Sequence, residues 1–111
     1  MVKISLEKNS LPQSKLSFPG KICVDKSVDG RLIITDTGHH RVIVTTREGV
    51  VLHSIGGSKD NSPGFADGDF QTARFNSPQG VAYKDEKIFV ADTENHAIRQ
   101  VVLINLVKMA V

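Results

Sequence analysis

The sequence predicts an all-β protein built from two copies of one four-stranded unit, and three observations support this prediction. Residues 32–42 recur as residues 88–98: in both copies apolar or small residues lead into Asp-Thr, two polar residues and His. Such self-similarity indicates an array of one supersecondary unit. Val and Ile are prominent, whereas aromatic residues make up only 5% of the chain, which favours strands. Turn signals containing Gly or Asp also separate the short apolar runs.

The first unit is predicted as a meander of four short antiparallel strands. Asp29-Gly30 joins the first two, because glycine supplies the positive φ of a tight hairpin turn. The run Leu32-Ile33-Ile34 lacks polar alternation, which is typical of a strand buried on both faces. Asp36 and Gly38 are expected to shape the next turn, with the Asp36 carboxylate accepting backbone N–H bonds and Gly38 in a left-handed conformation. The strands are predicted at residues 21–24, 31–35, 41–46 and 50–55, the size of a propeller blade.

This first unit, blade 1, is predicted to span residues 16–57, and the rest of the chain divides into three further segments. Residues 1–15 are predicted as an N-terminal strand and connector. Residues 58–74 are rich in Gly, Asp and Pro, and we expect Phe65, Phe70 and Phe75 to anchor them as an ordered inter-blade loop. Residues 75–111 are predicted as a truncated blade 2, with strands at 81–83, 87–91 and 97–103 and a fourth strand drawn from 104–111.

Composition narrows the function classes. Fourteen Lys and Arg against twelve Asp and Glu leave a net charge of +2, too small a surplus to predict a nucleic-acid partner. Cys23 is the single cysteine, which excludes an internal disulfide or Cys-x-x-Cys redox pair and favours a reducing compartment. The first residues lack the apolar core of a signal peptide, and no apolar run approaches the ~20 residues of a membrane span. We therefore expect a cytoplasmic, cytosolic protein with no membrane partner.

Several rigid motifs occur in order along the chain. Each unit opens on Pro-x-Gly or Pro-Gly and ends its second strand on Asp-Thr, followed by Gly-His-His-Arg-Val at 38–42 or Glu-Asn-His-Ala-Ile at 94–98. Between the units stand Gly-Phe-Ala-Asp-Gly at 64–68 and Ala-Arg-Phe-Asn-Ser-Pro-Gln-Gly at 73–80. This combination resembles the NHL repeat, a family of β-propeller blades, and within it the members in which a thioredoxin-like domain precedes the propeller.

The resemblance covers about residues 10–103. It implies a propeller of about six blades that serves as a binding platform in a cytosolic protein. With two repeats and no thioredoxin-like domain, the chain is expected to be a fragment or short form without redox chemistry, and no cofactor is expected. Because repeat units bury their faces against neighbours on both sides, we also expect self-association through exposed blade faces.

Residues at equivalent positions of the two copies are interpreted as structural. His40 matches His96 and Asp36 matches Asp92, so hydrogen bonding in or across a turn explains them better than metal binding or paired-carboxylate catalysis. The predicted turn residues are thus Asp36, Gly38, Asp92 and His96.

Other candidate residues also receive structural interpretations. Asp60, Asp67 and Asp69 lack the distal Glu of a calcium loop, and no metal site is expected. Cys23, between Ile22 and Val24, is interpreted as a small buried strand residue.

The favoured function is a non-enzymatic scaffold that binds a protein partner, because binding residues concentrate on loops held by a rigid framework. Alternatives are single-stranded RNA binding, which requires stacking side chains in a positive groove, a metal-dependent lyase or hydrolase such as certain NHL-fold enzymes, and a fragment without independent activity. The predicted partner-binding residues are His39, His40, Arg41, Glu94, Asn95 and Arg99, together with the 58–74 loop.

Overall fold

The computed structural model describes residues 16–26, 30–57, 60–103 and 106–110. These residues form two four-stranded antiparallel sheets, each with its strands in sequence order. Blade 1 contains β1 (Ile22–Asp25), β2 (Arg31–Asp36), β3 (Arg41–Thr45) and β4 (Val51–Gly56). Blade 2 contains β5 (Pro78–Lys84), β6 (Lys87–Asp92), β7 (Ala97–Val102) and β8 (Leu106–Met109).

The predicted fold class is confirmed: the described chain is all-β, with two blades of a partial propeller. Strand β8 pairs with β7, so blade 2 has four strands like blade 1. The apolar run of β2 is buried on both faces, since Ile33 and Ile34 are 0% and 3% exposed. The strand and connector predicted within residues 1–15 lie outside the described residues.

The hydrophobic core lies between the two blades. Alternate side chains of each sheet point into it, and fully burying each Val or Ile contributes about 1.5–3 kcal/mol. Blade 1 contributes Ile33, Val42, Val44 and Ile55, and blade 2 contributes Ile88, Val90, Val101 and Val107. Phe70 and Ala73 of the inter-blade loop, and Phe75 directly after it, complete the same cluster. The loop is therefore part of the core that joins the blades.

The described part of the inter-blade loop is ordered by backbone hydrogen bonds to both blades. The Gly56 N–H donates to the Phe70 carbonyl at 2.9 Å, and Gly68 exchanges two backbone bonds with Val107 of β8. Phe70 and Phe75 are buried as expected anchors, but Phe65 is 55% exposed. The loop packs on itself through a backbone bridge between Ala66 and Arg74, and it also packs across both sheets.

Candidate functional site

Both copies of the repeated motif fold into the same short turn between the second and third strands of a blade. The first turn is a 3-10 segment at Thr37–His39 followed by His40, and the second is Thr93–Asn95 followed by His96. The two closing histidines adopt the left-handed conformation, with φ values of 55° and 52°. Left-handed non-glycine residues are uncommon, although His is enriched among them. The recurrence of His thus reflects the backbone conformation that the turn requires.

The prediction that Gly38 takes the left-handed conformation is wrong, because His40 occupies that position of the turn. Gly38 is required for space: a Cβ atom there would lie 2.4 Å from the Ser17 hydroxyl oxygen. Its N–H donates to the Ser17 carbonyl at 2.8 Å. The small residue therefore lets the segment that precedes β1 approach the first turn.

The buried Asp36 carboxylate joins that preceding segment to the end of β2. It accepts hydrogen bonds from the Ser17 N–H at 2.6 Å, from His39 Nδ1 at 2.8 Å and from Arg41 Nε at 2.7 Å. It makes no capping bond to the N–H groups of its own turn. The structural role predicted for Asp36 is present, but the backbone partner lies 19 residues earlier in the chain.

Asp92 occupies the same position in blade 2 with a different set of partners. Its carboxylate accepts hydrogen bonds from the Asn76 N–H at 2.8 Å, from Asn95 Nδ2 at 2.8 Å and from Arg99 Nη1 at 2.7 Å. Asn76 is thus the counterpart of Ser17, and Asn95 replaces His39. The arginine comes from the third residue of β7, whereas in blade 1 it comes from the first residue of β3. Both aspartates have a buried guanidinium partner, delivered from different strand positions.

Arg99 holds the inter-blade loop against blade 2. Its side chain is 0% exposed, and besides Asp92 it donates to the carbonyls of Arg74 at 2.8 Å and Ala66 at 2.6 Å. Nη2 also donates to Asp67 Oδ1 at 2.9 Å. The guanidinium carbon lies 4.9 Å from the ring centre of Phe65 and 5.0 Å from that of Phe75, within cation–π range. Its Nε is buried without a hydrogen-bond partner.

The first turn also forms the polar joint between the blades. The side chains of Thr37 and His40 in this turn, and of Thr35 just before it, contact the backbone of the segment that opens blade 2. Ser77 N–H donates to His40 Nδ1 at 3.0 Å, Thr35 Oγ1 donates to the Gln79 carbonyl at 2.8 Å, and Thr37 Oγ1 donates to the Pro78 carbonyl at 2.6 Å. His40 is therefore an inter-blade acceptor as well as a turn residue.

The structure gives internal contacts to five of the six side chains predicted to bind a partner. His39 and Arg41 meet at Asp36, Asn95 and Arg99 meet at Asp92, and His40 faces Ser77. Glu94 is exposed on the second turn. Partner binding through these residues stays a prediction.

Sequence reasoning missed the partners that come from distant segments. Thr35, Thr37 and Ser77 lie within the quoted motifs, but no motif shows what they contact, and their hydrogen bonds span more than 30 residues of sequence. Phe18 and Ser77 each precede a proline and share the left-handed conformation, which marks them as equivalent positions of the two units. Sequence alone gives no direct signal for that conformation.

Burial perturbs two titratable side chains of blade 1. It raises the pKa of the half-buried Cys23 thiol, with a further contribution from the negative charge of Asp25. It lowers the pKa of His53, to which the positive charge of Arg31 also contributes. A thiol with a raised pKa is a weak nucleophile.

Hydrogen bonds donated by Thr72 lower the pKa of the exposed Asp69 carboxyl in the loop. Within the described residues, no three His, Cys, Asp or Glu side chains are grouped so that they could hold a metal ion. No helix among these residues has the length and apolar character needed to cross a membrane.

Comparison with known proteins identifies both blades. A family profile described as NHL repeat matches residues 16–44 and 75–101, which contain the two turns and the strands around them. NHL repeat-containing protein 2 of Gallus gallus is 57% identical over 100 residues, which are 90% of this chain and 13% of that protein. The protein of the same name from Homo sapiens is 53% identical over the same shares of both chains.

A plant protein gives a similar match. Protein SUPPRESSOR OF QUENCHING 1, chloroplastic, of Arabidopsis thaliana is 47% identical over 105 residues, which are 90% of this chain and 10% of that protein. The chain thus spans only a small part of the length of these relatives. Since the matched segments contain the repeated turns with their buried aspartates, the chain belongs to the NHL repeat family.

Proposed function

We propose that the chain is a non-enzymatic scaffold module of the cytosol that binds a protein partner through the rim formed by Phe65 and Glu94. The observation that carries the proposal is that Phe65 is 55% exposed, although its ring lies against the buried guanidinium of Arg99. An aromatic side chain held on an ordered loop suits protein binding, because aromatic residues are enriched at interfaces and a rigid site loses little entropy.

The neighbourhood of Phe65 adds a polar component to this rim. Asn95 Nδ2 donates to the Gly64 carbonyl at 2.8 Å, so Phe65 lies beside the turn that carries Glu94. Asp67, whose side chain is 47% exposed, lies next to the same arginine. An apolar ring flanked by carboxylates favours a partner that offers an apolar pocket bordered by basic side chains.

The non-enzymatic part of the proposal is supported by the contacts of the two repeated aspartates. General acid–base catalysis needs a carboxyl group within reach of a substrate proton. Asp36 and Asp92 are both buried, and arginine, side-chain and backbone donors occupy their oxygens. Membership of the NHL repeat family, whose blades commonly serve protein interaction, supports the same assignment.

The proposal is tested by affinity capture from a cytosolic extract of the source cells, followed by quantitative mass spectrometry. Phe65→Ala and Glu94→Ala should each lower recovery of the proteins that the unchanged chain enriches. Leu52→Ala is the matched control, because Leu52 is 44% exposed on β4 of the other blade. Equal recovery by the rim variants and by the control would refute binding through this rim.

A further inference from the structure

The tripeptide Asn-Ser-Pro occurs twice between the end of β4 and the start of β5, at residues 61–63 and 76–78. These are the two Ser-Pro sequences of the chain, and Thr-Pro is absent from it. The local sequence gives Ser62 and Ser77 the same chemistry. A difference between the two serines therefore comes from the contacts that each makes within this chain.

Ser77 is held in the joint between the blades. Its N–H donates to His40 Nδ1 at 3.0 Å, and its hydroxyl donates to Asn76 Oδ1 at 3.3 Å. Its φ of 54° is left-handed. Pro78, which follows it, is buried, and the Pro78 carbonyl accepts the Thr37 hydroxyl at 2.6 Å. An extended conformation at Ser77 would therefore require the joint to open.

Ser62 differs from Ser77 in each of these respects. It lies outside the strands, it is only partly buried, and Pro63 after it is exposed. Its backbone is not left-handed, and a residue before proline favours an extended conformation. Its N–H donates to Asp60 Oδ1 at 3.3 Å. Among the described residues, the Ser62 hydroxyl has no hydrogen-bond partner.

We propose that Ser62 is a phosphorylation site for a proline-directed protein kinase. Such an enzyme binds an extended segment and takes proline after the serine, because proline has no N–H that needs a partner. In the transfer, Ser62 Oγ attacks the γ-phosphorus of Mg-bound ATP and the bond from that phosphorus to the β–γ bridging oxygen breaks. ADP leaves, and the hydroxyl proton passes to the catalytic Asp of the kinase. The product adds a charge of about −1.5 to −2 at pH 7.

The joint determines the expected preference for Ser62 over Ser77. To become extended, Ser77 and the two residues after it must give up the three inter-blade hydrogen bonds described above. Each bond is worth about fivefold in an equilibrium constant, so the released form is disfavoured about 100-fold. Ser62 makes none of these bonds. In the folded chain the kinase should therefore phosphorylate Ser62 about 100 times faster than Ser77.

The test is phosphorylation of the full chain by a recombinant mitogen-activated protein kinase with Mg-ATP, followed over time by mass spectrometry of proteolytic fragments. Ser62→Ala should lose the phosphate. Pro63→Ala keeps the hydroxyl but presents an N–H without an acceptor, so it should react at least about tenfold more slowly. Ser77→Ala is the matched control and should react like the unchanged chain. Circular dichroism establishes that each variant is folded.

Synthetic peptides of residues 57–67 and 72–82 separate the effect of the joint from that of the local sequence. Both contain Asn-Ser-Pro, and neither contains the first turn. The kinase should therefore phosphorylate Ser62 and Ser77 at comparable rates in the two peptides, although it separates them in the folded chain.

Four results would overturn the proposal. They are an unmodified Ser62 in the folded chain, equal rates at Ser62 and Ser77 in the folded chain, a 57–67 peptide that the kinase does not modify, and a preference in the peptides as large as that in the chain. Phosphate transfer is measured without a binding partner. Its outcome is therefore independent of binding through the Phe65 and Glu94 rim.

Discussion

Replacement of Arg99 by Met should be among the most destabilising single changes in the chain. Arg99 is fully buried and neutralises Asp92, which is buried as well. Breaking a buried ion pair costs about 3–5 kcal/mol, because the remaining charge stays desolvated. Two hydrogen bonds to Asp92, from Asn76 and Asn95, persist and reduce this cost. Met retains apolar contact with the Phe rings, so we expect a net loss of about 3–4 kcal/mol.

The loss is large compared with the stability of an ordinary domain, about 5–15 kcal/mol, but it leaves a measurable folded population. Urea unfolding followed by circular dichroism at low protein concentration measures it. With a slope of about 1–3 kcal/mol per molar urea, the midpoint should fall by about 2 M. Arg74→Met is the matched control, since within the described residues the Arg74 side chain donates only to the carbonyls of Gln71 and Ala73, and it should cost less than about 1 kcal/mol.

A double-variant cycle separates the ion pair from general packing. Asp92→Asn retains an acceptor for the Asn76 N–H but removes the charge, so Arg99→Met in that background should cost about 1–2 kcal/mol less than in the unchanged chain. Amide exchange gives a local readout: the Gly64 N–H, bonded to the Phe75 carbonyl, should exchange faster in Arg99→Met. Strictly additive losses, or an Arg99→Met loss below about 1 kcal/mol, would refute the buried-pair argument.

Three further predictions follow from the structure. Gly56→Ala should cost about 2 kcal/mol in urea unfolding, because φ is +81° and the new Cβ would lie 2.6 Å from the Phe75 ring; Gly80→Ala, without a positive φ, should cost less. Burial lowers the folded-state pKa of His53 from 6.5, so the unfolded chain binds the proton more readily and stability should fall as pH drops below about 6.5. His53→Gln should flatten this pH dependence of stability, and an unchanged slope would show that His53 is not its cause. Because burial raises the pKa of Cys23, its thiol should react with Ellman's reagent at pH 8 more slowly in the folded chain than in urea; equal rates would contradict this.

The fold was predictable because its determinants are local. Each strand is a short β-branched run ended by a turn signal, and Gly30 adopts the positive φ of 69° expected of the hairpin before β2. The two copies of the motif support each other, so an error in one would have appeared as a mismatch with the other. Strand bounds in blade 1 differ from those predicted by about one residue, which is the ordinary uncertainty of element ends.

The partners of the repeated aspartates were not predictable, because they depend on contacts between distant segments. No spacing rule relates Asp92 to Asn76, or Arg99 to the carbonyl of Ala66, which lies 33 residues away. Periodicity places a residue on one face of a strand, but it does not say which loop covers that face. The sequence therefore predicted Arg99 as a partner-binding residue, although it is the largest fully buried side chain among the described residues.

The differences between the two turns now have a structural explanation. In the alignment of the two copies Arg41 corresponds to Ala97, and the sequence predicted Arg41 as a partner-binding residue. The position equivalent to Arg99 is Ile43, which is buried, and blade 1 therefore delivers its arginine to Asp36 from Arg41. Blade 2 delivers it from Arg99, where the same guanidinium can also hold the inter-blade loop. The position of the arginine thus differs because the two blades pack against different segments. Among the turn residues that differ between the copies, Glu94 remains the one at which partner recognition is best sought.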